Sequence, residues 1–296
     1  MRSDINYNNI IDGDEYAKAQ AAADAAANQP AEEINPSTFY VTQLWDRYND
    51  ENHECWTQLY KRRWEVLEEQ ASRTFINGLN AINLVPDRVP LLYGQRDWQG
   101  RTIKGINEYL RPLTGWQSNG VPGYLPAKAF FACLAKREFP TTITIRPIDR
   151  MDYLPEPDIF HDVFGHVPLH ADTVFAEFLQ TYGKAALHTE SAHHIERLGR
   201  LFWFTVEFGL IREDDRVKLY GSGLISSHGE AKWALQGDEN GKQPERRPFD
   251  LDKVCDTDFE IDHYQPIYYV LESFEQLRDA MNQYAERVLN EAGVAV

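Results

Sequence analysis

The stretch PEPDIFHDVFGHVP, residues 155–168, decides how the rest of the chain is interpreted. It places His161 and His166 five residues apart among large apolar side chains, which indicates a buried segment. On an ideal α-helix, that spacing separates two side chains by about 140°. The histidines therefore converge only if the helix ends between them, at Gly165 and the proline that follows, after a start capped by Asp158.

A second stretch, LFWFTVEFGLI at residues 201–211, supplies a carboxylate in apolar surroundings. Ten of its eleven residues are uncharged, and the exception is Glu207. A carboxylate inside a buried helix costs on the order of several kcal/mol unless it is paired, protonated or bound to metal. The sequence leaves two partners open, which are an arginine in a core salt bridge and a metal ion shared with the two histidines.

Two histidines and one carboxylate, with no thiolate, form the facial donor set of non-haem iron(II) oxygenases. Such a set leaves the opposite face of the metal open to water, dioxygen and substrate. Zinc accepts the same donors, although the usual H-E-x-x-H helix of zinc hydrolases is absent from the sequence. An iron oxygenase, a zinc hydrolase and a non-catalytic metal sensor therefore stay open at this point.

Another group of histidines has the same five-residue spacing. His188, His193 and His194 lie in the polar stretch LHTESAHHIER, which is typical of a solvated connection before a helix. We expect no metal there.

Composition narrows the class of partner. The chain has 296 residues, 43% of them hydrophobic, and carries 46 acidic against 30 basic side chains, for a net charge of −16. That charge argues against nucleic acid and anionic membranes as partners. We expect neither a signal peptide nor a membrane span, and three scattered cysteines argue against a disulfide framework. The predicted location is the cytoplasm.

Apolar periodicity predicts a mainly α fold with minor, short β-strands. Strand signals are confined to residues 141–145, 217–220 and 268–270. We expect a flexible N-terminal arm over residues 1–38 and one compact catalytic domain over residues 39–296.

Three ordered motifs, PEPDIFHDVFGHVP, WFTVEFGLI and YGSGLISSHGE, closely resemble the pterin-dependent aromatic amino acid hydroxylases. The resemblance runs roughly from Tyr40 to Tyr284. It implies the family's iron(II)- and pterin-binding catalytic domain, with tetrahydrobiopterin or a related tetrahydropterin as cosubstrate and dioxygen as oxidant. His161, His166 and Glu207 fall on the iron ligands of the family.

The size of the chain is similar to that of the bacterial, phenylalanine-hydroxylating members of the family. This similarity implies a monooxygenase that converts L-phenylalanine to L-tyrosine in phenylalanine catabolism, and a monomer. Tyrosine or tryptophan as the substrate stays open as the alternative within the family.

The segment TGWQSNGVPGYLPAKAFF, residues 114–131, matches the family's pterin-binding loop. The resemblance implies that backbone groups meet the pterin edge and that one aromatic ring stacks on it. The residues in these roles are Val121, Gly123, Tyr124, Leu125 and Phe130.

For the substrate, the resemblance assigns the carboxylate clamp to Arg146, whose planar guanidinium suits that bidentate task. The other implied pocket residues are Pro157, Trp203, Phe208, Gly223 and Ser226. Glu230 matches an acid of the family, but Ser227-x-x-Glu230 is also a capping box, and both interpretations stay open.

The chain departs from the family's pattern at three positions. Ala127 replaces a serine, Phe202 replaces a tyrosine, and Asp162 is shorter than the usual glutamate. Each departure puts a contact in doubt and leaves the reaction itself unaffected.

Overall fold

The computed structural model of the chain describes residues 10–86, 103–151, 157–261 and 263–294. Helices dominate these residues and the strands are short, which confirms the predicted fold class. The helices are α1 (Gly13–Ala26), α2 (Asp50–Gln70), α3 (Arg73–Ala81), α4 (Ile103–Thr114), α5 (Ala127–Ala135), α6 (Thr173–His188), α7 (Ala192–Phe202), α8 (Ser222–Ser226), α9 (His228–Gln236), α10 (Leu251–Cys255) and α11 (Phe274–Glu291). The strands are β1 (Gln117–Val121), β2 (Glu138–Thr142), β3 (Leu210–Glu213), β4 (Arg216–Leu219), β5 (Glu245–Pro248) and β6 (Ile267–Leu271).

Helix α6 packs extensively against both α5 and α11. Its apolar stripe of Phe175, Phe178 and Tyr182 is buried, as the helical spacing predicts. The side chain of Asp172 caps the helix by accepting a hydrogen bond from Phe175 N at 2.9 Å. Such a cap contributes about 1 kcal/mol and fixes where the helix begins.

The strands form two small sheets. A mixed sheet has the order β4-β3-β6-β5, in which β3 pairs antiparallel with β4 and parallel with β6. A parallel pair of β1 and β2 runs from Gln117 opposite Glu138 to Val121 opposite Thr142. This pair carries the predicted pterin loop, which follows β1, to the edge of the site.

Two strand predictions are confirmed in β4 and β6, and the third is shifted. The strand expected at residues 141–145 covers Glu138–Thr142 instead. Strand β3 was not predicted, because Leu210 and Ile211 continue the apolar run of the preceding helix without a break in pattern.

Two helical segments have π geometry, in which backbone hydrogen bonds join residues five apart. They are Phe160–His166 and Trp203–Glu207. Short α8 packs against the first of them and contacts the second. Together these three segments carry the residues of the candidate metal site.

Residues 10–38 have more contacts than a loose arm would have. Helix α1 is capped by Asp12 and buries Ala19, Ala23 and Ala26. The apolar residues of α1 are small but regularly spaced, and Ile11 and Ile34 on either side of the helix are buried as well. Residues 1–9 lie outside the described part of the chain, and flexibility of the arm in solution stays a prediction.

No helix among the described residues is long and apolar enough to cross a membrane.

Candidate active site

The π-helix Phe160–His166 brings His161 and His166 together. Their Nε2 atoms lie 3.1 Å apart. The expectation that the helix ends between them was wrong: the helix continues past Gly165 but widens, and its five-residue hydrogen-bond period places the two histidines on one side. Asp158 does cap the start, since its Oδ1 accepts a hydrogen bond from His161 N at 2.9 Å.

Glu207 is the last residue of the second π-helical turn, and its carboxylate faces both histidines. Its Oε1 lies 3.1 Å from His166 Nε2, and its Oε2 lies 3.5 Å from His161 Nε2. Among the residues that the structure describes, no arginine forms an ion pair with Glu207, so the alternative of a core salt bridge finds no support there. The position was expected in mid-helix, but the chain leaves the helix after Glu207 and enters β3 at Leu210.

The electrostatic environment keeps Glu207 ionised and His161 neutral, as metal ligands must be. Burial alone would raise the pKa of Glu207, but the adjacent imidazoles and hydrogen bonds from His166 and Ser222 outweigh it and lower the pKa to about 2. Burial lowers the pKa of His161 to about 4, against the attraction of Glu207. An anionic carboxylate beside a neutral imidazole is the state that binds a metal cation.

The spacing of the three donors fits one face of an octahedral ion. Adjacent donors at about 2.1 Å from such an ion are about 3.0 Å apart. Here the two imidazole nitrogens are 3.1 Å apart, and in each case the nearer Glu207 carboxylate oxygen is 3.1 Å from His166 Nε2 and 3.5 Å from His161 Nε2. Asp162 also lies near the imidazoles, with ligand atoms within 4.8 Å of one another. Its Oδ2, however, accepts a hydrogen bond from Thr142 N at 2.7 Å, and burial raises its pKa to about 7. A carboxyl group that is partly neutral and turned to the backbone is a poorer ligand than Glu207.

Ser226 fixes which nitrogen of His161 carries the proton. Its hydroxyl donates to Ser222 O at 2.8 Å, so toward His161 Nδ1, at 2.9 Å, it acts as an acceptor. Nδ1 must then carry the hydrogen, and Nε2 keeps its lone pair for a metal. Ser226 is buried, and its place at the substrate pocket stays a prediction.

The predicted pterin residues lie together where β1 leads into α5. Val121 and Leu125 are buried beneath the loop, and the Tyr124 side chain is 75% exposed. A side chain at Gly123 would meet no atom within 4 Å, so there is open space above the loop. Half-buried Phe130 is held edge-to-face by Phe139 and Phe202, which gives a fixed ring at this opening. A flat heterocycle fits such a ring face with backbone groups at its edge.

Arg146 is buried and held by a bidentate ion pair. Its Nε and Nη2 donate to the Asp158 carboxylate at 2.7 and 2.9 Å, and its Nη1 donates to Met151 O at 3.0 Å. The pKa of Asp158 stays below its usual value because Arg146 outweighs the effect of burial. Asp158 therefore connects the predicted carboxylate clamp to the first residue of the metal set, since it also caps the helix of His161.

The predicted ring pocket has its aromatic members in contact. Trp203 and Phe208 lie 4.6 Å apart between ring centroids. A side chain at Gly223 would stand 2.9 Å from Phe208 Cζ, so only glycine permits this packing. Pro157 is exposed, and its place in the ring pocket stays a prediction.

Gln265 is a residue that the sequence gave no reason to select. Its Oε1 accepts a hydrogen bond from Trp203 Nε1 at 3.0 Å, and its Nε2 donates to Glu260 O at 2.6 Å. Only 1% of it is exposed. One amide therefore fixes the Trp203 indole and ties it to the loop before β6, from which Phe259 stacks on the indole at 4.4 Å.

Glu230 takes part of each role left open. Ser227 caps α9 through a hydrogen bond from Glu230 N, but the Glu230 carboxylate does not complete a capping box. Its Oε1 instead accepts from Gln265 N at 3.1 Å and from the Tyr268 hydroxyl at 2.9 Å. Glu230 thus supports the segment that holds Trp203.

The second histidine group is only partly solvated, which corrects the sequence interpretation. His193 is exposed, but His194 is buried between α7 and α11. Its Nδ1 pairs with the Tyr284 hydroxyl at 2.9 Å and its Nε2 with Glu291 at 2.8 Å. These contacts give His194 a structural role, and the absence of a metal there stays a prediction.

Two histidines and a glutamate on one face of a buried, helix-built site define a mononuclear non-haem metal enzyme. The sequence pattern of the biopterin-dependent aromatic amino acid hydroxylase family matches residues 41–295, and the chain belongs to this family.

Relatives of known structure and function agree with this assignment. The phenylalanine-4-hydroxylase of Chromobacterium violaceum is 39% identical over 242 residues, which are 82% of this chain and 76% of that protein. A crystal structure of the Chromobacterium violaceum enzyme with iron(III) and 7,8-dihydrobiopterin matches with a TM-score of 0.74 at 39% identity, covering 86% of this chain and 87% of that one. Tyrosine 3-monooxygenase of Rattus norvegicus is 35% identical over 241 residues, 81% of this chain and 46% of that protein.

Proposed function

We propose that the chain is a monooxygenase that hydroxylates L-phenylalanine to L-tyrosine with dioxygen and a reduced pterin at a ferrous site. The observation that carries the proposal is the convergence of His161, His166 and Glu207 at octahedral spacing in a member of the pterin-dependent family. When bound, iron(II) and tetrahydropterin supply the electrons that activate dioxygen.

The residues of the chain position the reactants around that chemistry. His161 presents Nε2 because Ser226 holds the hydrogen on Nδ1. Phe130 offers a fixed ring face to the pterin, and Arg146, oriented by Asp158, pairs with the substrate carboxylate. Holding the reactants at fixed separation removes much of the entropic part of the barrier.

The aromatic pocket favours phenylalanine over tyrosine. The polar atom of Trp203 is already taken by Gln265, and Phe208 offers none, so neither side chain provides a partner for a phenol. An unpaired buried hydroxyl costs about 1–3 kcal/mol by mutational estimates. This supports a preference of roughly tenfold to a hundredfold for phenylalanine, hydroxylated at the ring position furthest from the Arg146 end.

Family membership leaves the zinc hydrolase and the metal sensor without support. Within the family, the alternatives are tyrosine and tryptophan as substrates, and the rat relative shows that this fold serves tyrosine as well.

Product analysis tests the proposal. Protein reconstituted with iron(II) is supplied with tetrahydrobiopterin and each of the three aromatic amino acids, and the products are separated by chromatography. We expect tyrosine from phenylalanine to form fastest. Faster formation of a catechol or a hydroxyindole would contradict the assignment of phenylalanine as the substrate, but not the assignment of the metal ligands.

Glu207→Gln is the matched test of the site, and exposed His193→Ala is its control. We expect the glutamine variant to keep its fold, bind iron weakly and form no product, whereas the alanine variant keeps normal iron content. Normal iron content in Glu207→Gln would remove Glu207 from the ligand set.

A cytoplasmic monomer stays a prediction. Light scattering on the eluting protein would measure the mass in solution, and a stable dimer would contradict it.

A further inference from the structure

The hydroxyl of Ser222 lies inside the candidate metal centre. Its Oγ is 2.9 Å from His166 Nε2, 2.9 Å from Glu207 Oε2 and 3.2 Å from Val206 O. Ser222 is 1% exposed, so water does not compete for this hydroxyl. It lies within the motif YGSGLISSHGE, but the sequence analysis assigned it no role.

Close packing of α8 on the π-helix holds Ser222 in this place. A Cβ at Gly165 would stand 3.0 Å from Ser222 O and 3.2 Å from Ser222 Cβ, so the glycine between the two histidines admits the serine. The backbone of Ser222 is fixed as well, since its carbonyl accepts a hydrogen bond from Ser226 Oγ at 2.8 Å.

A serine hydroxyl has one hydrogen to donate, and three acceptors are within its reach. A bound metal uses the lone pair of His166 Nε2, which removes that acceptor. Between the two that remain, the Glu207 carboxylate is charged and nearer than Val206 O. Charge-assisted hydrogen bonds are about twice as strong as neutral ones, so the hydrogen goes to Glu207 Oε2.

We propose that Ser222 is a positioning residue that keeps Glu207 bound to the metal through one oxygen. The inference rests on the proposed function. An oxygen that accepts this hydrogen bond is a weaker donor to the metal, so Oε1 ligates and Oε2 stays outside the coordination sphere. An octahedral ion then keeps three positions open opposite the protein, whereas a glutamate bound through both oxygens would leave two.

Crystal structures of the cobalt(II)-loaded protein test this directly, with wild type, Ser222→Ala and Ser227→Ala compared. Ser227 is the control because it loses a hydroxyl that caps α9 and contacts no metal ligand. In wild type and in the control, we expect Oε2 to stay hydrogen-bonded and farther from cobalt than a bond allows. In Ser222→Ala, Oε2 should move to about 2.2 Å from the ion, with loss of one bound water.

Each other result has a defined meaning. Glu207 bound through both oxygens in wild type, Ser222 Oγ bound to cobalt itself, or one-oxygen binding retained in Ser222→Ala would each overturn the inference. Failure of wild type to take up cobalt or iron would instead overturn the proposed function. Thermal unfolding of the metal-free variants should be close to wild type, which separates a change of coordination from a loss of fold.

Discussion

Removal of the Ser226 hydroxyl should weaken metal binding without removing a ligand. In Ser226→Ala, the Nδ1–H of His161 loses the acceptor that lies 2.9 Å away. The imidazole is then free to move its hydrogen to Nε2, the atom that must face the metal. Loss of such a supporting hydrogen bond typically costs tenfold to a hundredfold in metal affinity, or about 1.4–2.7 kcal/mol.

Titration of metal-free protein with cobalt(II) or iron(II) under anaerobic conditions measures this effect. Ser227→Ala is the control, because it removes a neighbouring hydroxyl whose hydrogen bond is with Glu230 N and not with His161. We expect the dissociation constant of Ser226→Ala to rise by roughly tenfold to a hundredfold and that of Ser227→Ala to stay within a few-fold of wild type. Equal affinity in Ser226→Ala and wild type would refute the assigned tautomer of His161.

Three further variants test the substrate site and the core. Arg146→Lys keeps the positive charge but loses the planar guanidinium that Asp158 orients. The KM for phenylalanine should rise by roughly tenfold to a hundredfold, while the KM for pterin stays near that of wild type. A shift in the pterin KM alone would place Arg146 at the cofactor site. Gln265→Leu leaves Trp203 Nε1 without its hydrogen-bond acceptor, so the indole of the substrate pocket is held less firmly. The KM for phenylalanine should therefore rise by about tenfold, with unchanged iron content. An unchanged KM would show that packing alone holds the indole. His170→Leu should raise the free energy of unfolding, because among the described residues no group pairs with either ring nitrogen of this fully buried imidazole. Burial holds the pKa of His170 well below 6.5, so the unfolded chain binds more protons than the folded chain at acidic pH. The gain in the free energy of urea unfolding should therefore be larger at pH 5.5 than at pH 7.5, and equal gains would contradict this.

The sequence was sufficient for the donor set because the chemistry of each residue is local. The lone carboxylate in the apolar run around Glu207 needed a partner, and a metal ion shared with the two histidines of another apolar run was one of the two partners that the sequence allowed. The cap at Asp158 was predictable for the same reason, because its side chain accepts a hydrogen bond from the backbone N–H three residues further along the chain.

The geometry that joins the donors was not predictable. Over a single turn, a π-helix and an α-helix bury the same apolar residues. The spacing of His161 and His166 therefore does not show whether the helix ends between them or changes from α to π geometry. The run after Glu207 shows the same limit, since an apolar helix and a buried strand share their composition there.

Residues that act through tertiary contacts were also hidden. Ser222 and Gln265 are polar residues whose roles depend on what folds against them. Ser226 was selected by the resemblance, but for the substrate pocket and not for its hydrogen bond to His161. His194 was misjudged because its partners, Tyr284 and Glu291, lie some 90 residues away in sequence.

The central claim is that His161, His166 and Glu207 hold iron for the transfer of an oxygen atom from dioxygen to phenylalanine. The most direct test supplies the iron(II)-reconstituted protein with phenylalanine, tetrahydrobiopterin and isotopically labelled dioxygen, and determines the mass of the tyrosine formed. Tyrosine that carries one labelled oxygen atom, formed by wild type and not by Glu207→Gln, is the predicted result. Tyrosine with unlabelled oxygen, or equal labelling by the variant, would contradict the claim.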